Sequence, residues 1–75
     1  MDHTCEDIPI SEARANITDV IASVRLLRRC VFLTRRGKPQ AALVPIELGH
    51  LIRQAGGPDV AQRFLAEHIN EDRKP

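Results

Sequence analysis

Two apolar runs of similar length, Cys30-Val31-Phe32-Leu33-Thr34-Arg35 and Gln40-Ala41-Ala42-Leu43-Val44-Pro45, are separated only by Arg36-Gly37-Lys38-Pro39, and that spacing commits the middle of the chain to a β-hairpin. Gly37 supplies the positive φ that a tight reversal wants. Pro39, which has no amide hydrogen, fits only the start of the returning strand. The hairpin tip therefore carries Arg35, Arg36 and Lys38 on a short, stiff loop. Three cations held so close repel one another, which makes sense against phosphate and is also tolerable in a well-solvated loop.

Upstream, Ile8-Pro9-Ile10 reads as a short extended stretch, because Pro9 pushes Ile8 out of helical space and suits only an edge or a lead-in. Ser11 stands where a helix N-cap belongs, and Ile17, Val20, Ile21, Val24 and Leu27 follow at the spacing of one apolar face. The spacing predicts a helix from Glu12 to about Leu27, with Arg14, Thr18 and Arg25 on its polar side. On that reading Arg14 lies in the first turn, where a positive charge opposes the helix dipole at a cost of a few tenths of a kcal/mol, roughly. A phosphate at that end reverses the sign, while a solvated arginine with no task is the plainer alternative.

Downstream, Pro45 stops the second strand, and Ile46, Leu48, Leu51 and Ile52 mark a short helix ending near Arg53. Gly56-Gly57-Pro58 is the clearest punctuation in the chain and reads as a flexible joint, dividing residues 1–54 from 55–75. Pro58 suits the first position of a last helix, with Val60, Phe64, Leu65 and Ile69 along one face up to about Asn70 and a polar, frayed end beyond. That stripe either folds back on the small body, the commoner fate of such helices, or waits for a partner. The class expected is α+β: a short strand, a helix, a hairpin, a short helix and a C-terminal helical segment.

With 75 residues the chain builds one core of marginal size, so a partner chain is expected. Its 43% apolar and 28% charged residues are ordinary for a folded protein and too apolar for a disordered one. The net charge of +1 hides an asymmetry. Residues 25 to 53 hold seven bases against the single acid Glu47, whereas the first 24 residues hold five acids against Arg14. A basic middle with acidic or neutral ends is a plausible footprint for nucleic acid, and a solvated face of mixed charge is the blander reading. Cys5 and Cys30 do not suggest a disulfide framework, and neither a leader nor a membrane-spanning run is read in the sequence, so a cytoplasmic protein with both thiols reduced is expected.

Catalysis is not expected, because no nucleophile and base stand in a recognisable constellation. His3-Thr4-Cys5 superficially offers two metal ligands, but no matching pair follows, and His50 and His68 fall on separate helices; neither a metal nor a cofactor is anticipated. Single-stranded RNA binding is unattractive, since Phe32 and Phe64 are the only aromatic side chains.

Ile10-Ser11-Glu12-Ala13-Arg14-Ala15-Asn16-Ile17, then Val31 to Pro39, then Ala42-Leu43-Val44-Pro45 resemble the Phd/YefM antitoxin family in order, spacing and residue type, from about Ile8 to Ile52. The resemblance implies a dimer in which two protomers pair their sheets and helices into one platform. That platform would bind palindromic operator DNA and repress the operon that encodes it, while the C-terminal segment wraps and neutralises a toxin. Carried across, the family's DNA contacts fall on Arg14 and Arg35; Arg36 and Lys38 join them on the charge argument. If all four cations on both chains met phosphate, the log–log salt slope would reach roughly −7.

For the toxin, the expected contacts are Val60, Phe64, Leu65 and Ile69 in a groove, with Arg63, Glu67 or Asp72 pairing at its rim. Toxins of such pairs are commonly ribonucleases of the RelE-like or PIN type, or Doc-like modifying enzymes, and nothing in the residues chooses among them. The chain departs from the family's pattern at Arg25-Leu26-Leu27-Arg28-Arg29, where an acidic, glycine-bearing turn is usual. Arg28 and Arg29 there either extend the DNA footprint or meet an acidic patch on the toxin. The rival function is a protein-interaction module of the same fold that does not bind DNA.

Overall fold

The computed structural model describes residues 5–73, with side chains described as far as residue 70. Seven elements follow in the order β1 (Cys5–Pro9), α1 (Ile10–Ala15), α2 (Ile17–Leu27), β2 (Cys30–Arg35), β3 (Lys38–Leu43), α3 (Ile46–Ala55) and α4 (Pro58–Arg73). They make a small α+β fold around a three-stranded mixed sheet of order β1-β2-β3. The two remote strands, β1 and β2, run parallel with Cys5 opposite Cys30 and Pro9 opposite Thr34, and α1 and α2 form the crossover between them.

The hairpin expected from the middle of the chain is present, with the tight turn reduced to Arg36 and Gly37. Both have positive φ, 54° and 80°, as a two-residue turn matched to strand twist requires. The second strand begins at Lys38 rather than Gln40, and the ladder slips between Leu33 and Thr34: Leu33 faces Ala41 while Thr34 faces Pro39. Gln40 is thus the extra residue of a bulge. The missing amide hydrogen of Pro39 is accommodated there, on an edge strand.

The expected single helix from Glu12 to Leu27 is instead two. Asn16 adopts φ −128° and ψ 36°, and its side-chain Nδ2 donates to Glu12 O at 3.2 Å, in competition with the helical pattern. Apolar periodicity carried no trace of the break, because Val20 and Val24 of α2 still reach the core alongside Ala13 of α1. Ser11 is also not the N-cap. Pro9 holds that position without a side-chain hydrogen bond, and Ser11 lies inside α1. In consequence Arg14 falls in the last turn of α1, where the helix dipole favours a cation, so the penalty expected from a first-turn position does not arise.

The core consists of Ala13, Val20, Val24 and Val31, with Ile8, Leu33 and Leu43 packed against it. Val31 on the central strand is 1% exposed and is its keystone. Of the five apolar residues read as one face of the α2 helix, Val20 and Val24 are buried while Ile17, Ile21 and Leu27 remain exposed, Ile21 at 51%. The chain alone therefore covers only two of the five residues of that face.

The C-terminal third is a helical hairpin. Gly56 at φ 111° ends α3; its N–H donates to Arg53 O at 3.1 Å, and Gly57 N–H donates to Ile52 O at 2.9 Å. This nested pair closes the C-terminus of α3 through a left-handed glycine. The joint is thus a hydrogen-bonded turn, and α3 runs two residues past Arg53, so the division at residue 54 falls inside its last turn. α4 begins at Pro58 as expected and continues to Arg73, beyond Asn70. It packs principally on α3 through buried Ala61. The resulting body is elongated, 42 × 26 × 21 Å, with a radius of gyration of 13.9 Å against about 11 Å for a compact chain of this length.

Candidate functional site

The parallel ladder decides where the cations meet. Because Pro9 lies across from Thr34, the start of α1 is set beside the end of β2, and Arg14 comes round to the same side as the hairpin turn. The result is an open concavity of about 390 Å³ lined by Pro9, Ile10, Ser11, Arg14, Thr34, Arg35 and Arg36. Three guanidinium-bearing residues from two segments far apart in sequence thus share one hollow with the hydroxyl-bearing Ser11 and Thr34. Guanidinium groups with hydroxyls beside them form the donor set that phosphate oxygens take.

Among the described residues, Arg14, Arg35 and Arg36 have no carboxylate partner. Arg28 and Arg29 do have one. Arg28 Nη1 donates to Glu47 Oε1 at 2.7 Å, and Arg29 Nη1 donates to Glu6 Oε1. In the single chain these exposed pairs have a local role: they tie the α2–β2 junction to the start of α3 and to β1. Arg28 also has φ 58° and ends α2 in the left-handed conformation, which is the position a glycine would ordinarily fill. The carboxyl of Glu47 is held below its ordinary value, first by its own backbone N–H and next by Arg28, with His50 adding a smaller pull.

Lys38 is exposed, and it lies across from Arg35 on the hairpin without lining the concavity. Arg36 is the more telling neighbour. Its left-handed φ is unfavourable for a residue with a side chain, and glycine or asparagine would fill that turn position with less strain. Arg36 thus combines a less favourable backbone conformation with a place in the lining of the cationic hollow.

The residues expected to face a partner are on α4. Val60, Phe64, Leu65 and Ile69 are all exposed, Phe64 at 71%, so α4 does not bury its stripe in the sheet-bearing body. Arg63 and Glu67 are exposed beside them. The side chain of Asp72 lies outside the described residues, as do His3 and Thr4. Phe64 and Leu65 join Leu48, Leu51, Ile52, Ala55 and Ala61 along an apolar groove of about 250 Å³ between α3 and α4. From the sequence, Ile46, Leu48, Leu51 and Ile52 marked only a short helix, because the pairing of that helix with α4 leaves no local signal. A third hollow of about 170 Å³ runs between α2 and the start of α3, lined by Ile21, Val24, Arg25, Val44, Pro45 and Ile46.

No group of three or more potential metal ligands occurs among the described residues, and no described helix is long and apolar enough to cross a membrane. No family model, curated protein or solved structure matches the chain.

Proposed function

We propose that this protein is the antitoxin of a type II toxin–antitoxin pair: a homodimer that represses its own operon by binding operator DNA and neutralises a cognate toxin, a ribonuclease, through α4. The single observation that carries the reading is the convergence of Arg14, Arg35 and Arg36 on one hollow with Ser11 and Thr34, all without carboxylate partners among the described residues. A two-fold dimer presents such a hollow twice, which is the symmetry of a palindromic operator. The sequence resemblance to Phd/YefM antitoxins points the same way.

Dimerisation is supported by the uncovered part of the α2 face. Ile17 and Ile21, continuous with the hollow beside Val44 and Ile46, are what a second copy would cover. Toxin capture is supported by the α3–α4 groove and the exposed Phe64. The groove on its own also suits the rival reading, an interaction module indifferent to DNA. A mobility-shift assay on the protein's own upstream region separates the two. The proposal expects a shifted duplex, lost in Arg14→Ala and Arg35→Ala, and a protein that stays dimeric at micromolar concentration. A monomer with no preference for that duplex overturns it.

A further inference from the structure

Cys5 and Cys30 open β1 and β2 respectively, and they are register partners at the first rung of the parallel ladder. Adjacent strands run about 4.8 Å apart, inside the window of roughly 4.4 to 6.8 Å that Cα atoms of a disulfide span. Partners on one rung also send their side chains to the same face of the sheet. The residues next to them are clamped as well, since the Arg29–Glu6 ion pair joins the position before Cys30 to the position after Cys5. Both cysteines are thiols in this structure, Cys5 exposed and Cys30 half-buried.

We infer that Cys5 and Cys30 form a reversible intramolecular disulfide that staples β1 to β2 when the protein meets a low-molecular-weight disulfide of the glutathione type. The exposed Cys5 thiolate attacks one sulfur of the small disulfide, forming a mixed disulfide and releasing one small thiolate. The Cys30 thiolate then attacks Cys5 Sγ and releases the second. Two protein thiols are oxidised, one small disulfide is reduced to two thiols, and the two protons pass to the departing thiolates. A transient bond of this kind is the usual form of a disulfide in a reducing compartment.

The position gives the bond a consequence. The ladder that begins at Cys5 and Cys30 ends at Pro9 and Thr34, which both line the arginine hollow. Stapling the first rung holds the last one together, so the oxidised protein keeps its hollow under conditions that part the strands of the reduced one. This consequence rests on the DNA-binding reading, whereas the disulfide itself does not.

The test treats the full chain with oxidised glutathione and maps its peptides without reduction. The expected product is a chain with one intramolecular Cys5–Cys30 linkage and no covalent link between chains, a melting temperature raised by several degrees, and full reversal by a dithiol. Cys5→Ser and Cys30→Ser each remove the shift while leaving the reduced melting temperature nearly unchanged. Covalent dimers, stable glutathione adducts on either cysteine, or a linked protein that melts no higher would each overturn the inference. A linked, stabilised protein that ignores operator DNA keeps the staple and removes only the DNA reading.

Discussion

Pro9 and Thr34 face each other across the last rung of the parallel β1–β2 ladder, and everything cationic that the chain gathers on one side depends on that pairing. Pro9 starts α1, which delivers Arg14, while Thr34 precedes Arg35 and Arg36 at the hairpin turn. Replacing Arg14 or Arg35 by alanine is expected to weaken operator binding by about 1 to 3 kcal/mol each, because each removes donors from a shared anion site. If only the three arginines of each hollow engage phosphate in a dimer, the log–log salt slope is about −5, shallower than the four-cation limit, and each single substitution flattens it by roughly two units per dimer. Titrations at several salt concentrations read both quantities.

Arg36 carries two opposed contributions that a single variant separates. Arg36→Gly removes a left-handed side-chain residue from the turn and is expected to stabilise the protein by about 1 kcal/mol, while the loss of charge weakens DNA binding. Urea unfolding and mobility shift on the same preparation check the two signs. Equal or lower stability in the glycine variant would remove the argument that the arginine sits there in a less favourable conformation.

Phe64→Ala separates folding from partner binding. The ring is mostly exposed, so the variant's melting temperature should stay within a degree or two of the parent's. Its affinity for the toxin should fall by at least about 2 kcal/mol, as loss of an aromatic anchor does. Calorimetry with the purified product of the adjacent gene measures the second figure.

These expectations also show where sequence reading stopped. The hairpin was legible because Gly37 and Pro39 punctuate two apolar runs, and the α3–α4 turn because Gly56-Gly57-Pro58 does the same. Such signals are local. The pairing of β1 with β2 is not, since its rungs join residues on either side of two helices, and without it Thr34, Arg35 and Arg36 have no visible connection to Ser11 and Arg14. The break at Asn16 escaped for another reason: core-facing spacing survives the interruption, and a side-chain hydrogen bond to Glu12 leaves no periodic mark. Arg28 and Arg29 looked available as cations because their carboxylate partners, Glu47 and Glu6, are remote in sequence.

Glu47 is expected to titrate below the ordinary glutamate range, and carbon-detected NMR of its carboxyl reads the midpoint directly. Its folded-state pKa is lowered, so the contribution of the Glu47 contacts is complete above the unfolded value near 4.5 and is lost as pH falls through the lower folded value. In Arg28→Gln the midpoint should move only part of the way back, because the backbone N–H of Glu47 is the larger cause and remains. A full return to the ordinary value would place the main influence on Arg28 instead.

Gly56→Ala should cost about 1 kcal/mol or more, since φ 111° disfavours any side chain, while the new methyl would make only an ordinary contact with Val60 Cγ2 at 3.4 Å. Gly37→Ala has open space around it and a φ of 80°, nearer the left-handed region that residues with side chains occasionally adopt, so the smaller loss is expected there. Chemical denaturation of the two variants side by side ranks them.

The division of the chain into near-neighbour hairpins and one long-distance strand pairing also sets a sequence of events in time. The β2–β3 turn and the glycine-closed α3–α4 turn each close over a few residues, whereas β1 must wait for a strand that leaves the ribosome two helices later. The arginine hollow is therefore the one described feature whose formation depends on residues brought together across two intervening helices, and parting β1 from β2 would undo it. Local opening of that ladder would remove the surface proposed to meet DNA while leaving the locally closed helical hairpin intact, so the two halves of one small molecule could fail independently.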